Sequence, residues 1–120
     1  MPTPNMFIVY VTDAPASARF YSDLFDMSAK FVSPRFITFD LGGGNDLALW
    51  SGHADQERPV PRTSEVCLNL PGGPEVIDEK FEQWVAQGVK VVQEPHDAVF
   101  GRTFVVADPD GNLIRVAPVD

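Results

Sequence analysis

The chain carries one stretch twice, and the two copies align residue for residue without a gap. Arg35 through Trp50 reads strand, glycine-rich turn, Asn, strand; Arg102 through Val116 reads the same way, with Arg35 matching Arg102 and Asn45 matching Asn112. The turn of the second copy is Asp108-Pro109-Asp110-Gly111-Asn112. Asp108 can accept hydrogen bonds from the backbone ahead of it, Pro109 fixes φ, and Gly111 suits a positive φ. In the first copy the turn has become Gly42-Gly43-Gly44-Asn45. Self-similarity on this scale means one supersecondary unit used twice, and it limits the folds the rest of the chain can adopt.

The flanking segments extend the repeat. Met6 to Val11 is a β-branched and aromatic run of strand length. Asp13 suits an N-cap and Pro15 the first helical turn, and Ala16 to Phe25 places Phe20, Leu24 and either Tyr21 or Phe25 on one stripe. A short strand over residues 29–32 leads into the first hairpin. Residues 51–62 hold two prolines and His53 and read as a linker. Then Glu65 to Leu70 predicts a strand and Glu75 to Gln87 a helix, with Val76, Phe81, Trp84 and Val85 as its apolar stripe and Gly88 as its stop. Val89 to Val92 predicts a strand and Gln93 to Val99 a loop before the second hairpin. Each half is strand, helix, strand, strand, strand. The expected fold class is therefore α+β: one domain built from two βαβββ modules, residues 1–56 and 57–120.

Composition narrows the function. Nine basic against 17 acidic residues leave a net charge of −8 over 120 residues, which argues against nucleic acid and anionic membrane surfaces as partners. No apolar run reaches the roughly 20 residues of a membrane span, and no leader pattern opens the chain. A cytoplasmic protein is the expectation. The single cysteine, Cys67, cannot form an internal disulfide; in Val66-Cys67-Leu68 it reads as a small buried apolar residue. No Ser sits on a Gly-x-Ser-x-Gly turn, and Gly42-Gly43-Gly44 does not open a helix, so neither a nucleophile elbow nor a phosphate loop is present.

The element order, the Phe20-Tyr21-Ser22-Asp23-Leu24-Phe25 helix and the Asp108–Asn112 turn resemble the vicinal oxygen chelate superfamily of glyoxalases, extradiol dioxygenases and bleomycin-resistance proteins. The resemblance implies curled mixed sheets around a cleft, a homodimer, and in the enzymes a divalent metal held at four strand positions. Here those positions fall on Met6, Ala48, Glu65 and Arg115. A thioether, a methyl group, one carboxylate and a guanidinium do not make a site for a hard or borderline dication. No cofactor is therefore expected. Glu65 and Arg115 should project into the cleft as an ion pair, or Arg115 receives an acidic group of a ligand. A displaced metal on His53, His96 and Asp97 is the rival arrangement, and these residues show no ligand spacing.

Side chains two apart on a strand share a face, so Trp50 lies beside Ala48, with Asp46 on the same face. A small residue beside an indole makes a slot for a flat ring. The alternation of Phe36, Thr38 and Asp40 against Arg35, Ile37, Phe39 and Leu41 leaves open which set faces inward. Within the superfamily, Phe31 to Ile37, Leu49-Trp50-Ser51-Gly52, Pro61 to Glu65 and Val99 to Phe104 through Val116 are similar to the phenazine-antibiotic resistance proteins. That similarity implies a homodimer that sequesters a planar aromatic antibiotic without catalysis. The ligand-binding set it points to is Trp50, Ser51, Arg115, Glu65, Ala48, Arg35, Phe36, Arg102 and Phe104. The alternative is a lyase or dioxygenase-type enzyme working through a displaced metal or through Glu65 as acid or base.

Overall fold

The computed structural model describes residues 2–52 and 63–119. Its chain falls into two compact units, Met1–Val60 and Pro61–Asp120. Most of the expected linker, with His53 and Arg62, lies outside the described residues.

The first unit runs β1 (Met6–Tyr10), α1 (Ala14–Phe25), β2 (Ala29–Val32), β3 (Phe36–Gly42) and β4 (Asn45–Trp50); its four-stranded sheet has the order β1-β4-β3-β2. The second runs β5 (Glu65–Leu70), α2 (Pro74–Ala86), β6 (Lys90–Ala98), β7 (Gly101–Ala107) and β8 (Leu113–Pro118), in the order β5-β8-β7-β6. Each sheet is mixed: the first strand pairs parallel with the last, and the hairpins pair antiparallel. The α+β class with two βαβββ modules is thus the observed one. The hairpins match in register as well as in sequence, since Thr38 sits opposite Ala48 and Val105 opposite Arg115.

Local chemistry explains the element ends. Asp13 accepts a hydrogen bond from the Ala16 amide at 3.1 Å, capping α1. Asp108 is buried and organises the second turn: its Oδ1 accepts from the amides of Asp110 and Asn112 at 2.9 and 2.8 Å, and its Oδ2 from Asn112 Nδ2 at 2.8 Å. Gly111 adopts the positive φ the turn needs, +85°.

Three expectations change. The stretch after Val92 is strand, not loop, because β6 continues to Ala98 through register shifts between Val91 and Gln93 and between Gln93 and His96. Gln93-Glu94-Pro95-His96-Asp97 is polar and holds a proline, so it lacks the β-branched and aromatic run of the other strands, and bulges are where a strand accommodates such residues. On α1 the buried stripe is Ala14, Ser17, Ala18, Tyr21 and Leu24, with Phe20 and Phe25 only half-buried. On α2 it is Ile77 and Trp84, while Val85 is exposed.

The core of the second unit lies between α2 and one sheet face: the Phe104 ring meets Phe81 at 5.2 Å and Trp84 at 5.7 Å, both edge-on. Ile37 occupies the position of Phe104 in the first unit, and it is buried with Phe39, Leu47 and Leu49 on that same face of its own sheet.

Candidate functional site

In the first unit, register gathers Phe36, Thr38 and Asp40 of β3 onto the face of Trp50, Ala48 and Asp46 of β4. This settles the alternation of the third strand in favour of the Phe36 set. Parallel pairing adds Met6, Ile8 and Tyr10, opposite Asp46, Ala48 and Trp50. Met6, Ile8, Tyr10 and Phe31 are exposed large hydrophobics. The Trp50 ring meets Phe36 edge-on at 6.2 Å, and Phe36 meets Phe31 at 6.4 Å. A β-carbon on Gly52 would overlap the indole, so the ring folds across a backbone that only glycine leaves bare. Asp46 is neutralised at one end of this face by Lys30, whose Nζ is 3.0 Å from both carboxylate oxygens. Asp40, beside Asp46 at that end, accepts from the Gly42 amide at 2.7 Å, and the rest of the face is aromatic and aliphatic apart from Thr38.

The corresponding face of the second unit is polar. Glu65, Cys67 and Asn69 of β5 stand opposite Leu113, Arg115 and Ala117 of β8. Arg115 Nε and Nη2 donate to Glu65 Oε1 and Oε2 at 2.8 and 3.1 Å, the fork-on-carboxylate geometry, and Nη1 donates to the Thr103 hydroxyl at 3.1 Å. Hydrogen bonding to Glu65 raises the Arg115 pKa above its ordinary value against the opposing effect of burial. The Phe100 ring covers the guanidinium, with Cζ 5.7 Å from the ring centroid. Glu65, Cys67, Asn69, Phe100, Arg115 and Ala117 line an open pocket of about 480 Å³, with Pro118 at its edge.

Cys67 is exposed in this pocket, contrary to the expectation of a buried residue. A three-residue apolar run does not say which face a residue takes; strand parity does, and Cys67 shares the face of Glu65. Burial of the thiol group and the nearby Glu65 charge push its pKa up, and Arg115 pulls it back only in part. Its Sγ donates to Asn69 Oδ1 at 3.1 Å. Cys67, Asn69, Phe100, Ala117 and Pro118 line the pocket outside the expected binding set. For Cys67 and Asn69 the usable signal was their spacing of two and four from Glu65.

The nine expected binding residues divide. Trp50, Ala48 and Phe36 come together on the first face, and Glu65 and Arg115 on the second. Arg35 is exposed and its carbonyl accepts from the Ser51 amide at 2.9 Å; Ser51 is itself buried. Arg102 and Phe104 do not join Arg115. Phe104 is wholly buried under α2, and Arg102 reaches the helix side of its sheet, where Nε meets Asp78 at 3.1 Å and Nη1 meets Asp97 at 3.3 Å. An odd spacing from Arg115 across the β7–β8 pairing puts these two on the opposite face of the sheet.

The metal test is a matter of donor chemistry. The pairing register makes Met6 equivalent to Glu65, opposite Asp46 and Leu113, and Ala48 equivalent to Arg115. The four positions thus bring one carboxylate, and both of its oxygens are engaged by Arg115. They do not fit a metal. The rival set is split: His96 stands opposite Thr103 and Asp97 opposite Arg102, on opposite faces of β6, and His53 lies outside the described residues. His96 Nδ1 is 2.8 Å from the Glu94 carbonyl oxygen.

Residues 3–116 match the model of the Glyoxalase/Bleomycin resistance protein/Dioxygenase superfamily. The chain is 41% identical to the phenazine antibiotic resistance protein EhpR of Enterobacter agglomerans, covering 98% of this chain and 93% of that protein. Among solved structures it is similar to protein ATC0852 of Agrobacterium tumefaciens, with 35% identity and a TM-score of 0.86 over 100% of this chain and 99% of that one. It also resembles a glyoxalase/bleomycin resistance protein/dioxygenase from Nocardioides, with 26% identity and a TM-score of 0.79 over 100% and 85% of the two chains. No helix among the described residues is long and apolar enough to cross a membrane. The chain belongs to the glyoxalase/bleomycin resistance/dioxygenase superfamily.

Proposed function

We propose that the protein is a homodimeric, metal-free cytoplasmic binder that sequesters a planar aromatic antibiotic or metabolite of the phenazine kind and so confers resistance. The observation that carries this reading is the Trp50 ring, laid across Gly52, edge-on to Phe36 and next to Ala48 on a face whose Asp46 is neutralised by Lys30. Such a face is largely apolar and rich in π-surface, and an aromatic ring stacked on the indole gains roughly 0.5–1.5 kcal/mol beyond area burial. The identity to a phenazine antibiotic resistance protein supports the same class of ligand. Within the second unit's own pocket, Arg115 retains N–H groups beyond those given to Glu65 and Thr103, so it can receive an acidic group there without losing its partner. Sequestration asks only for a dissociation constant near a micromolar, about −8 kcal/mol. An enzyme using Glu65 as acid or base would first have to free a carboxylate held by two hydrogen bonds.

Tryptophan fluorescence tests the reading. Phenazine-1-carboxylate is expected to quench Trp50, and the Trp50→Phe variant, retaining only the buried Trp84, should lose the quenching. An unquenched wild-type protein at high micromolar ligand sinks the proposal.

A further inference from the structure

The aromatic face of the first unit has a single uncharged polar group at its centre, the hydroxyl of Thr38. Thr38 stands between Phe31 of β2 and Ala48 of β4 and is only 4% exposed. Its Oγ1 is buried without a hydrogen-bond partner, and it is the one such side-chain atom among the described residues. Leaving a hydroxyl dry and unpaired is costly, because burial removes its water and returns nothing. The strand does not need it. The repeat places Val105, a side chain of the same shape without the oxygen, at the matching position of the second unit, where it is equally buried. Where the fold does bury a threonine hydroxyl for its own sake, it satisfies it: Thr103 Oγ1 donates to the Val116 carbonyl at 2.7 Å and accepts from Arg115.

An unpaired hydroxyl in the floor of an apolar slot is the arrangement that discriminates between ligands, since an apolar surface alone stacks any flat ring. We propose that Thr38 Oγ1 donates a hydrogen bond to a ring nitrogen of the bound heteroaromatic, making Thr38 the residue that tells a diazine-type ring from a carbocycle of the same shape. The inference rests on the Trp50 face being the binding face. Phe31, on the edge strand, half exposed and paired directly with Thr38, is the neighbour whose rotation would open a path to the hydroxyl.

The test compares phenazine-1-carboxylate with anthracene-1-carboxylate, which has the same outline and no ring nitrogen, on the wild-type chain and on Thr38→Val and Thr38→Ser. Thr38→Val should weaken phenazine-1-carboxylate about five-fold and leave anthracene-1-carboxylate within about two-fold, while Thr38→Ser keeps the preference. Ligand-free Thr38→Val should melt at or above the wild-type temperature, because it removes an unpaired buried oxygen. Three results overturn the inference: unchanged phenazine binding by Thr38→Val, equal losses for both probes, or a lower melting temperature for ligand-free Thr38→Val, which would mean the hydroxyl has a partner within the protein. Each of these leaves the binding reading intact. Wild-type protein that does not bind phenazine-1-carboxylate overturns both.

Discussion

The two units share a fold and a register, yet their equivalent faces carry opposite chemistry. Met6, Ile8, Tyr10, Ala48 and Trp50 in the first correspond to Glu65, Cys67, Asn69, Arg115 and Ala117 in the second. Even the centre is exchanged, Thr38 against Val105 and Phe36 against Thr103. The helix faces did not diverge in this way: Ile37 and Phe104 are both buried, as are Leu47 and Ile114, and Leu49 and Val116. The difference teaches where this architecture is free to vary. Side chains between helix and sheet must fill a closed volume, and a misfit there costs several kcal/mol. The other face tolerates different chemistry, so one copy carries exposed aromatics and the other a charged pocket.

The contrast is breakable by mutation. The largest effect should come from the constrained side: Phe104→Ala, opening a cavity beside Phe81 and Trp84, is expected to cost about 3–5 kcal/mol in urea unfolding. A loss under about 1 kcal/mol would mean that the helix face is not the rigid one. On the free side the roles should separate. Trp50→Ala is expected to change stability by only about 1 kcal/mol while raising the dissociation constant for phenazine-1-carboxylate at least about ten-fold. Gly52→Ala should imitate it by driving the indole off its seat, which a fluorescence titration of both variants would compare.

A smaller effect is expected at the Glu65–Arg115 pair, which is partly exposed and so contributes about 1 kcal/mol or less to stability. Under the proposed function, Arg115→Ala should weaken phenazine-1-carboxylate several-fold more than neutral phenazine. Equal losses would reduce the pair to a structural contact. The smallest effect concerns Cys67. Glu65 holds the thiol pKa up, so Glu65→Gln should lower it, increase the thiolate fraction near pH 8 and speed alkylation by iodoacetamide a few-fold. Salt should narrow the difference, since the interaction is coulombic. An alkylation rate that ignores the substitution would place the carboxylate's influence elsewhere.

The sequence by itself determined the repeat, the turn chemistry of Asp108 to Asn112, the Asp13 cap and the βαβββ order. These follow from local rules: turn residues at fixed offsets, periods of two and 3.6, and a gapless self-alignment. What it left open was every question of facing. Phe36 joined Trp50, Cys67 turned out to be exposed, and Arg102 and Phe104 went to the helix side, because a period of two names two faces without saying which one the helix covers. That choice belongs to tertiary packing, where α2 placed Phe81 and Trp84 over Phe104 and Asp78 against Arg102. The unpaired oxygen of Thr38 likewise exists only once its neighbours close around it.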